Sequence, residues 1–372
     1  MATMATTGRK LIAQMERLSP PVLAMEKDRI GLQVGDPEAE VKGVLLALDV
    51  TEAVVDEAIA LGANWIIAHH AVIFRPLGDL RRDRPAGRLF AKLLKHDIQV
   101  YVAHTNFDSA TGGVNDVLAQ KLGLTETDVL IPVHRETYKK LVVTIPKDHH
   151  DAVLQAICKA GAGWIGNYSH CTFNLEGTGT FRPEEGTDPY IGEQGQLERV
   201  GEVRLETIVP TTIQTRVVSA LIKAHPYEEV AYDLYPLDLE GAVQGLGRVG
   251  RLDQTLSLSH LANQVKKAYG LSHLRFVGNP DVRVQTVAVL GGAGGRYWPE
   301  AKRLGADVYI TGDIDHHTAM DAREAGVCLI DPGHHVEYLA LESLRQQLSE
   351  MNTEKEITIQ VSTIETSPFS FV

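Results

Sequence analysis

Self-similarity restricts this chain more than any other feature of its sequence. Residues 41–70 lie on residues 284–313 without a gap: Val41 meets Val284, Val44 meets Val287, Glu57-Ala58 meets Glu300-Ala301, Leu61-Gly62-Ala63 meets Leu304-Gly305-Ala306, and Ile67 meets Ile310. A longer loop in the first copy interrupts the match. It resumes at a new offset, with Ile98 on Val327, Val100 on Leu329, Tyr101 on Ile330 and Asp108 on Glu337. This pattern predicts an internally duplicated core whose halves pack about a pseudo-twofold axis.

Each half reads as βαβ units. Val41–Leu48 is a continuous apolar run of buried-strand type. Val54, Val55, Ala58, Ile59 and Leu61 then share a helical face, Gly62 supplies a helix stop, and Trp65–Ala68 is a second strand. Strand, helix, strand over this distance requires a parallel sheet with helices on its faces. A helix near Leu89–Lys95 and a strand Ile98–Ala103 extend the unit. The second half repeats it with strands Val284–Leu290, Asp307–Ile310 and Val327–Ile330, and a helix through Glu300–Leu304. Between the halves the order changes to β-α-β-β-α-β. Strand Leu141–Ile145 and helix Asp148–Lys159 come first, then glycine- and aromatic-rich strands from Trp164 to Phe181. Strand Val203–Val209, helix Ile213–Ala224 and strand Val230–Leu234 complete it. That order predicts a ferredoxin-like α+β domain inserted into an α/β core. The expected divisions are 1–131 (first half of the core), 132–237 (insert) and 238–372 (second half).

The net charge of −12 argues against a general nucleic-acid or membrane-surface binder, which needs a basic face. The short basic run Arg81-Arg82-Asp83-Arg84 is the exception; it reads as a solvated loop or as a phosphate contact. Three cysteines without a CxxC pair point away from a disulfide scaffold and toward a reducing cytoplasm. The first residues lack the long apolar stretch of a secretory signal, and no apolar run is long enough to span a bilayer. Met4 is an alternative start.

The chemistry sits at strand ends. His69-His70 closes the strand Trp65–Ala68. Adjacent side chains in a regular strand point to opposite faces, so two neighbouring histidines converge only where the strand stops. The carboxyl edge of a parallel sheet is such a place, and ligand sites lie there. The strand Ile98–Ala103 leads into His104-Thr105-Asn106-Phe107-Asp108. Its counterpart Val327–Ile330 leads into Asp331-Pro332-Gly333-His334-His335-Val336-Glu337. If both edges face one cleft, Asp108 and Glu337 are symmetry mates with His69, His70, His104 and His334 around them. Several imidazoles and two carboxylates suit divalent Zn, Fe, Mn, Co or Ni, and they exceed what one tetrahedral ion needs. Two ions, roughly 3.5–4 Å apart and bridged by a carboxylate, use the whole set. Two further motifs stay open. Gly291–Gly295 reads either as a phosphate cradle or as a tight βα turn. In Thr311–His317, Asp313 and His317 read either as an acid or base beside the cleft or as caps of the next helix. His225-Pro226-Tyr227-Glu228-Glu229 and His170 read as ordinary turn and strand positions.

The runs Ile67–His70, His104–Asp108, Gly291–Gly295, Thr311–Asp313 and Asp331–Glu337 together resemble the GTP cyclohydrolase I type 2 homologues, also grouped as Ngg-one-interacting factor three-like proteins. Gly163–Tyr168 and Gly177–Phe181 resemble the PII- or CutA-like insert of the longer bacterial members. The resemblance implies two bound metal ions, a toroidal homohexamer, and ligands at His69, His70, Asp108, His334 and Glu337, with His335 an alternative register for His334. It places His104 near the metals, as an outer partner or proton relay, and we carry His104 and His317 as acid–base candidates. It implies opening of the guanine ring of GTP by water. The competing expectation is a non-catalytic metal-handling or regulatory assembly in which the insert senses a ligand. A transcription-related partner role is suggested by the family name alone.

Overall fold

The computed structural model describes residues 6–352 and 357–371; Met4 lies outside them. The chain divides into two compact units, residues 1–134 with 244–372 and residues 135–243.

The first unit opens with helix α1 (Gly8–Leu18), β1 (Gly31–Val34), β2 (Gly43–Ala47), α2 (Glu52–Ala60), β3 (Trp65–Ala68), α3 (Pro85–Lys95), β4 (Gln99–Val102), α4 (Thr105–Ser109), α5 (Val114–Lys121) and β5 (Thr125–Arg135). The second unit holds β6 (Tyr138–Pro146), α6 (His150–Lys159), β7 (Thr172–Phe181), β8 (Glu198–Pro210), α7 (Gln214–Ala224) and β9 (Tyr232–Leu237). The chain returns to the first unit through β10 (Val243–Ser257), α8 (Leu258–Ala268), β11 (Arg275–Val277), β12 (Arg283–Val289), α9 (Trp298–Arg303), β13 (Val308–Ile310), α10 (His316–Glu324), β14 (Cys328–Asp331), α11 (Leu341–Met351) and β15 (Thr358–Val361).

Two sheets organise the first unit. One has the order β1-β4-β3-β2-β15, parallel except for β1. The other has the order β11-β14-β13-β12-β10-β5, with a parallel centre β14-β13-β12 and antiparallel β11 and β10 against it. Alternation sorts their side chains. Val44, Leu46, Trp65, Ile67 and Tyr101 point into a core shared with Val287, Val289, Val308, Ile310 and Ile330 of the other sheet. Leu45, Ala47, Ile66, Ala68, Val100 and Val102 point the other way, onto Val54, Val55 and Ala58 of α2 and Phe90 and Leu93 of α3. Ala288, Leu290, Tyr309 and Leu329 do the same on the second sheet, onto Ala301 and Ala322. Burial on both faces explains why β2, β3 and β13 are apolar at every position. Gly62 ends α2 at φ +69°, a left-handed turn that a residue with a Cβ adopts at a cost.

The second unit has its own core, built from Leu141, Val143, Ile145, Val153, Ile157, Leu205, Val217 and Leu221. Its sheet order is β7-β8-β6-β9, every neighbour antiparallel. One strand expectation is corrected. Trp164–His170 is not extended; it is a tight reversal with an Ile165–Tyr168 bridge and left-handed Gly163, Gly166 and His170, and β7 starts only at Thr172. Glycines at two of the three left-handed positions explain it, since they admit the backbone that turns the chain. Among the described residues no helix is long and apolar enough to cross a membrane. The three cysteines are free.

Candidate metal centre

The three central strands of each parallel run in the first unit end on the same side. After β3 the pairing with β2 continues for two residues: His69 N–H donates to Ala47 O (3.0 Å) and His70 N–H to Leu48 O (2.9 Å). Alternation then sends His69 to the inner face, where it is buried, while His70 turns at the strand end. After β4, Asn106 shapes the turn. Its side chain accepts from His104 N–H (2.9 Å) and donates to Ser19 O (2.7 Å), and one turn of α4 then delivers Asp108, buried. After β14, the residues from His334 to Ala340 form a 3-10 helix. Its three-residue repeat stacks His334 over Glu337.

These chain ends meet. Glu337 Oε2 is 3.0 Å from His70 Nε2, 3.3 Å from His334 Nε2 and 3.6 Å from His69 Nε2. His69 Nε2 is also 3.6 Å from Asp108 Oδ1. Three overlapping sets have ligand atoms within 4.8 Å of one another: His69, Asp108 and Glu337; His70, His334 and Glu337; His69, His70 and His104.

The back of each ring is held. His69 Nδ1–H donates to Ala103 O (2.9 Å), and His70 Nδ1 lies 2.7 Å from Asp49 Oδ1. His334 Nδ1 is 2.7 Å from Asp313 Oδ2, and His104 Nδ1 is 2.8 Å from Asp28 Oδ1. An acceptor behind Nδ1 fixes the ring and leaves Nε2 free to face the cluster; metal-binding histidines are supported in this way. Asn115 ties the halves together, donating to Asp108 O (2.9 Å) and accepting from Gly291 N–H (2.9 Å). Gly292 sits against the carboxylate at φ +67°, and a Cβ there would collide with Glu337 Oε1.

Electrostatics bind the set into one system. Burial opposes a charge on His70, but hydrogen bonds to Asp49 and Glu337, with their charges, raise its pKa to about 10. The Glu337 hydrogen bond raises His334 to about 9 against burial. Burial lifts Asp108 to about 6, opposed by the charge of His69 and assisted by that of Glu337. Burial acts on Glu337 too, yet the charge of His69, 3.6 Å away, and hydrogen bonds from His334 and His70 hold it well below the usual carboxylate range. Burial likewise opposes ionisation of Asp28, and hydrogen bonds from His104 and Thr105 outweigh it and keep it low.

The residues fit a divalent cation on two observations. His69 Nε2 and Asp108 Oδ1 are buried and have no hydrogen-bond partner. A buried orphan pair of this kind is costly unless a further group completes it. The donor set is also imidazole and carboxylate, the chemistry of borderline divalent ions.

Other expectations fall differently. His317 lies exposed on the first turn of α10, outside all three sets. Asp315, not Asp313, caps that helix, accepting from the N–H groups of His317 and Thr318. Asp313 instead stands behind His334. His335 turns away, with its Nε2 2.8 Å from Glu365. Gly291–Gly295 is a tight turn whose Gly291 and Gly294 amides are engaged by Asn115 and Thr311, so it is not an open phosphate cradle. His225 is a turn residue, bonded to Thr144 O and Tyr227 N–H. Asp28, Asp49 and Asn115 were missed in the sequence. Asp49 carried a signal, as an acid at the end of β2 on the same edge; Asp28 sits in a loop with no periodic signal.

The family model for Duf34/NIF3 (NGG1p interacting factor 3) matches residues 6–368. The chain belongs to this family. A Duf34/NIF3 relative from Halalkalibacterium halodurans, called GTP cyclohydrolase 1 type 2 homolog, is 49% identical over 98% of this chain and 99% of its own length. A Bacillus subtilis relative of the same name is 48% identical over 99% of both. The crystal structure of a Bacillus cereus protein related to NIF3 superposes with a TM-score of 0.91 at 50% identity, covering both chains fully.

Proposed function

We propose that the cluster is a two-ion centre of a hydrolase acting on a nucleotide, with GTP the first substrate to test. His69, Asp108 and Glu337 hold one divalent ion, and His70, His334 and Glu337 the other, with Glu337 shared. The observation that carries this is the convergence of three Nε2 atoms on one carboxylate oxygen, one of them (His69) buried without a hydrogen-bond partner, as is Asp108 Oδ1. The relatives' name, GTP cyclohydrolase 1 type 2 homolog, supports a nucleotide as substrate class. Bound divalent ions would supply Lewis acidity and lower the pKa of a water.

The chain's own residues do the rest. Asp49 and Asp313 orient His70 and His334. His104 stands beside His69 and His70, with ring centroids 5.2 and 5.8 Å away, and is backed by Asp28. It is placed to hold or pass a proton at Nε2.

The core reads as an internal duplication: the two sheets share a strand order about the aligned residues, and Asp108 and Glu337 occupy matching positions. The strand and sheet order of residues 135–243 supports a ferredoxin-like insert. Exposed Phe74, Leu77 and Leu80 on one loop support self-association, for which a homohexamer is the expectation; light scattering after gel filtration reads the mass.

The test of function is turnover of GTP by protein reconstituted with each of Zn, Mn, Fe, Co and Ni, followed as formate release. His104→Ala should keep its metal and lose roughly 100-fold or more in rate. His70→Ala should lose metal and activity together. A metal-loaded wild type no faster than His70→Ala would remove the catalytic reading and leave a metal-handling protein.

A further inference from the structure

The C-terminal segment is fastened at four points to elements in and around the centre. β15 runs parallel to β2, with Val361 opposite Leu46, and Ser362 N–H donates to Leu46 O (2.8 Å). Ser362 and Thr363 then grip Glu57 of α2; Thr363 contributes its N–H (2.8 Å) and its hydroxyl (2.6 Å), and Ser362 its hydroxyl. Farther on, Glu365 meets His335 Nε2 at 2.8 Å, and the half-buried Thr366 donates its hydroxyl to Asp49 Oδ2 at 2.6 Å. Asp49 uses its other oxygen on His70 Nδ1 (2.7 Å), and His70 Nε2 faces Glu337 at 3.0 Å. Among the described residues, His70 and Thr366 are the two hydrogen-bond donors that Asp49 meets.

We propose that this segment is a working part of the metal centre, in which Thr366 positions His70 by locking the Asp49 carboxylate. The inference rests on the assignment of His70 as a ligand. A carboxylate with one donor can rotate about its side-chain torsions and carry the imidazole with it. A second donor on the other oxygen removes that freedom. Thr366 touches neither an ion nor a substrate, so it is a positioning residue.

Thr366→Val keeps the shape and removes the donor; Thr366→Ser keeps the donor. Two measurements on full-length protein separate the strap from the metal assignment. The first is Zn²⁺ affinity by chelator competition, with the absorption spectrum of the Co²⁺ form. Thr366→Val should weaken binding about tenfold or more, as loss of an outer partner of a ligand does, and alter the Co²⁺ spectrum, while Thr366→Ser restores both. The second is the His70 Nδ1–H proton signal in metal-free protein. It should exchange with water faster in Thr366→Val than in wild type and Thr366→Ser. Wild-type exchange in Thr366→Val would overturn the strap whether or not metal binds. Equal Zn²⁺ affinity of wild type and His70→Ala would instead remove His70 as a ligand. A lower melting temperature in Thr366→Val, with both the affinity and the His70 signal unchanged, would mark a purely structural contact and also overturn the proposal.

Discussion

Three imidazole nitrogens face one oxygen of Glu337, so removing its charge acts on every arm of the centre at once. Glu337→Gln is expected to lose both ions, whereas Asp108→Asn loses only the one shared with His69; elemental analysis of the purified variants counts the difference. Protons are the second lever at this scale. In the metal-free chain His70 and His334 have pKa values raised to about 10 and about 9. Their pairing therefore contributes stability that is full below about pH 6.5, the ordinary histidine value, and is lost as pH climbs through 9 and 10. Ligation needs neutral imidazoles, so metal uptake must release protons. Calorimetry at pH 7 in two buffers of different ionisation heat should show that release, and affinity should rise with pH while metal-free stability falls. A proton count of zero would contradict the pairing. The inner residues of this centre were legible because each ends a strand or starts a turn in a recognisable run. Of the outer carboxylates, Asp313 stood in a recognisable run, whereas Asp28 and Asp49 were passed over because they are joined to the histidines by tertiary contact and not by spacing in the chain.

At the scale of elements, turns decide the geometry. The turn after β12 packs Gly292 on Glu337 with φ +67°. Gly292→Ala combines left-handed strain of about 1–2 kcal/mol with a collision at the carboxylate. The variant should fold with a modestly lower melting temperature but bind metal at least tenfold more weakly. Wild-type affinity in this variant would show that the turn does not hold Glu337. The strands β2, β3 and β13 were readable because burial on both faces makes them apolar throughout, and β4, β12 and β14 because each carries a buried apolar run. The strands β5, β10 and β15 were not. β5 and β10 pair across about a hundred intervening residues, and β15 is short, with a register on β2 set from the far end of the chain. The aromatic run at Trp164 has strand-like composition, but its glycines take left-handed backbone and turn it instead.

For the whole first unit, the shared core between the two sheets is what brings the strand tips together. Trp65, fully buried there, anchors that contact. Trp65→Ala should cost about 3–5 kcal/mol and lower metal affinity along with stability, since the proposed ligands follow strands of both sheets. Metal should in turn stabilise the fold. Saturation at a hundredfold over Kd adds about 2.7 kcal/mol, so a chelator should lower the melting temperature of freshly purified protein and added Zn²⁺ should restore it. The sequence repeat predicted facing halves; how closely the tips approach depends on side-chain packing that a repeat does not encode. Anomalous diffraction from crystals grown with Zn²⁺ measures that approach directly. Two zinc peaks are expected flanking the Glu337 carboxylate, one beside His69 and Asp108 and the other beside His70 and His334. A single peak, or none within bonding distance of Glu337, would contradict the two-ion centre.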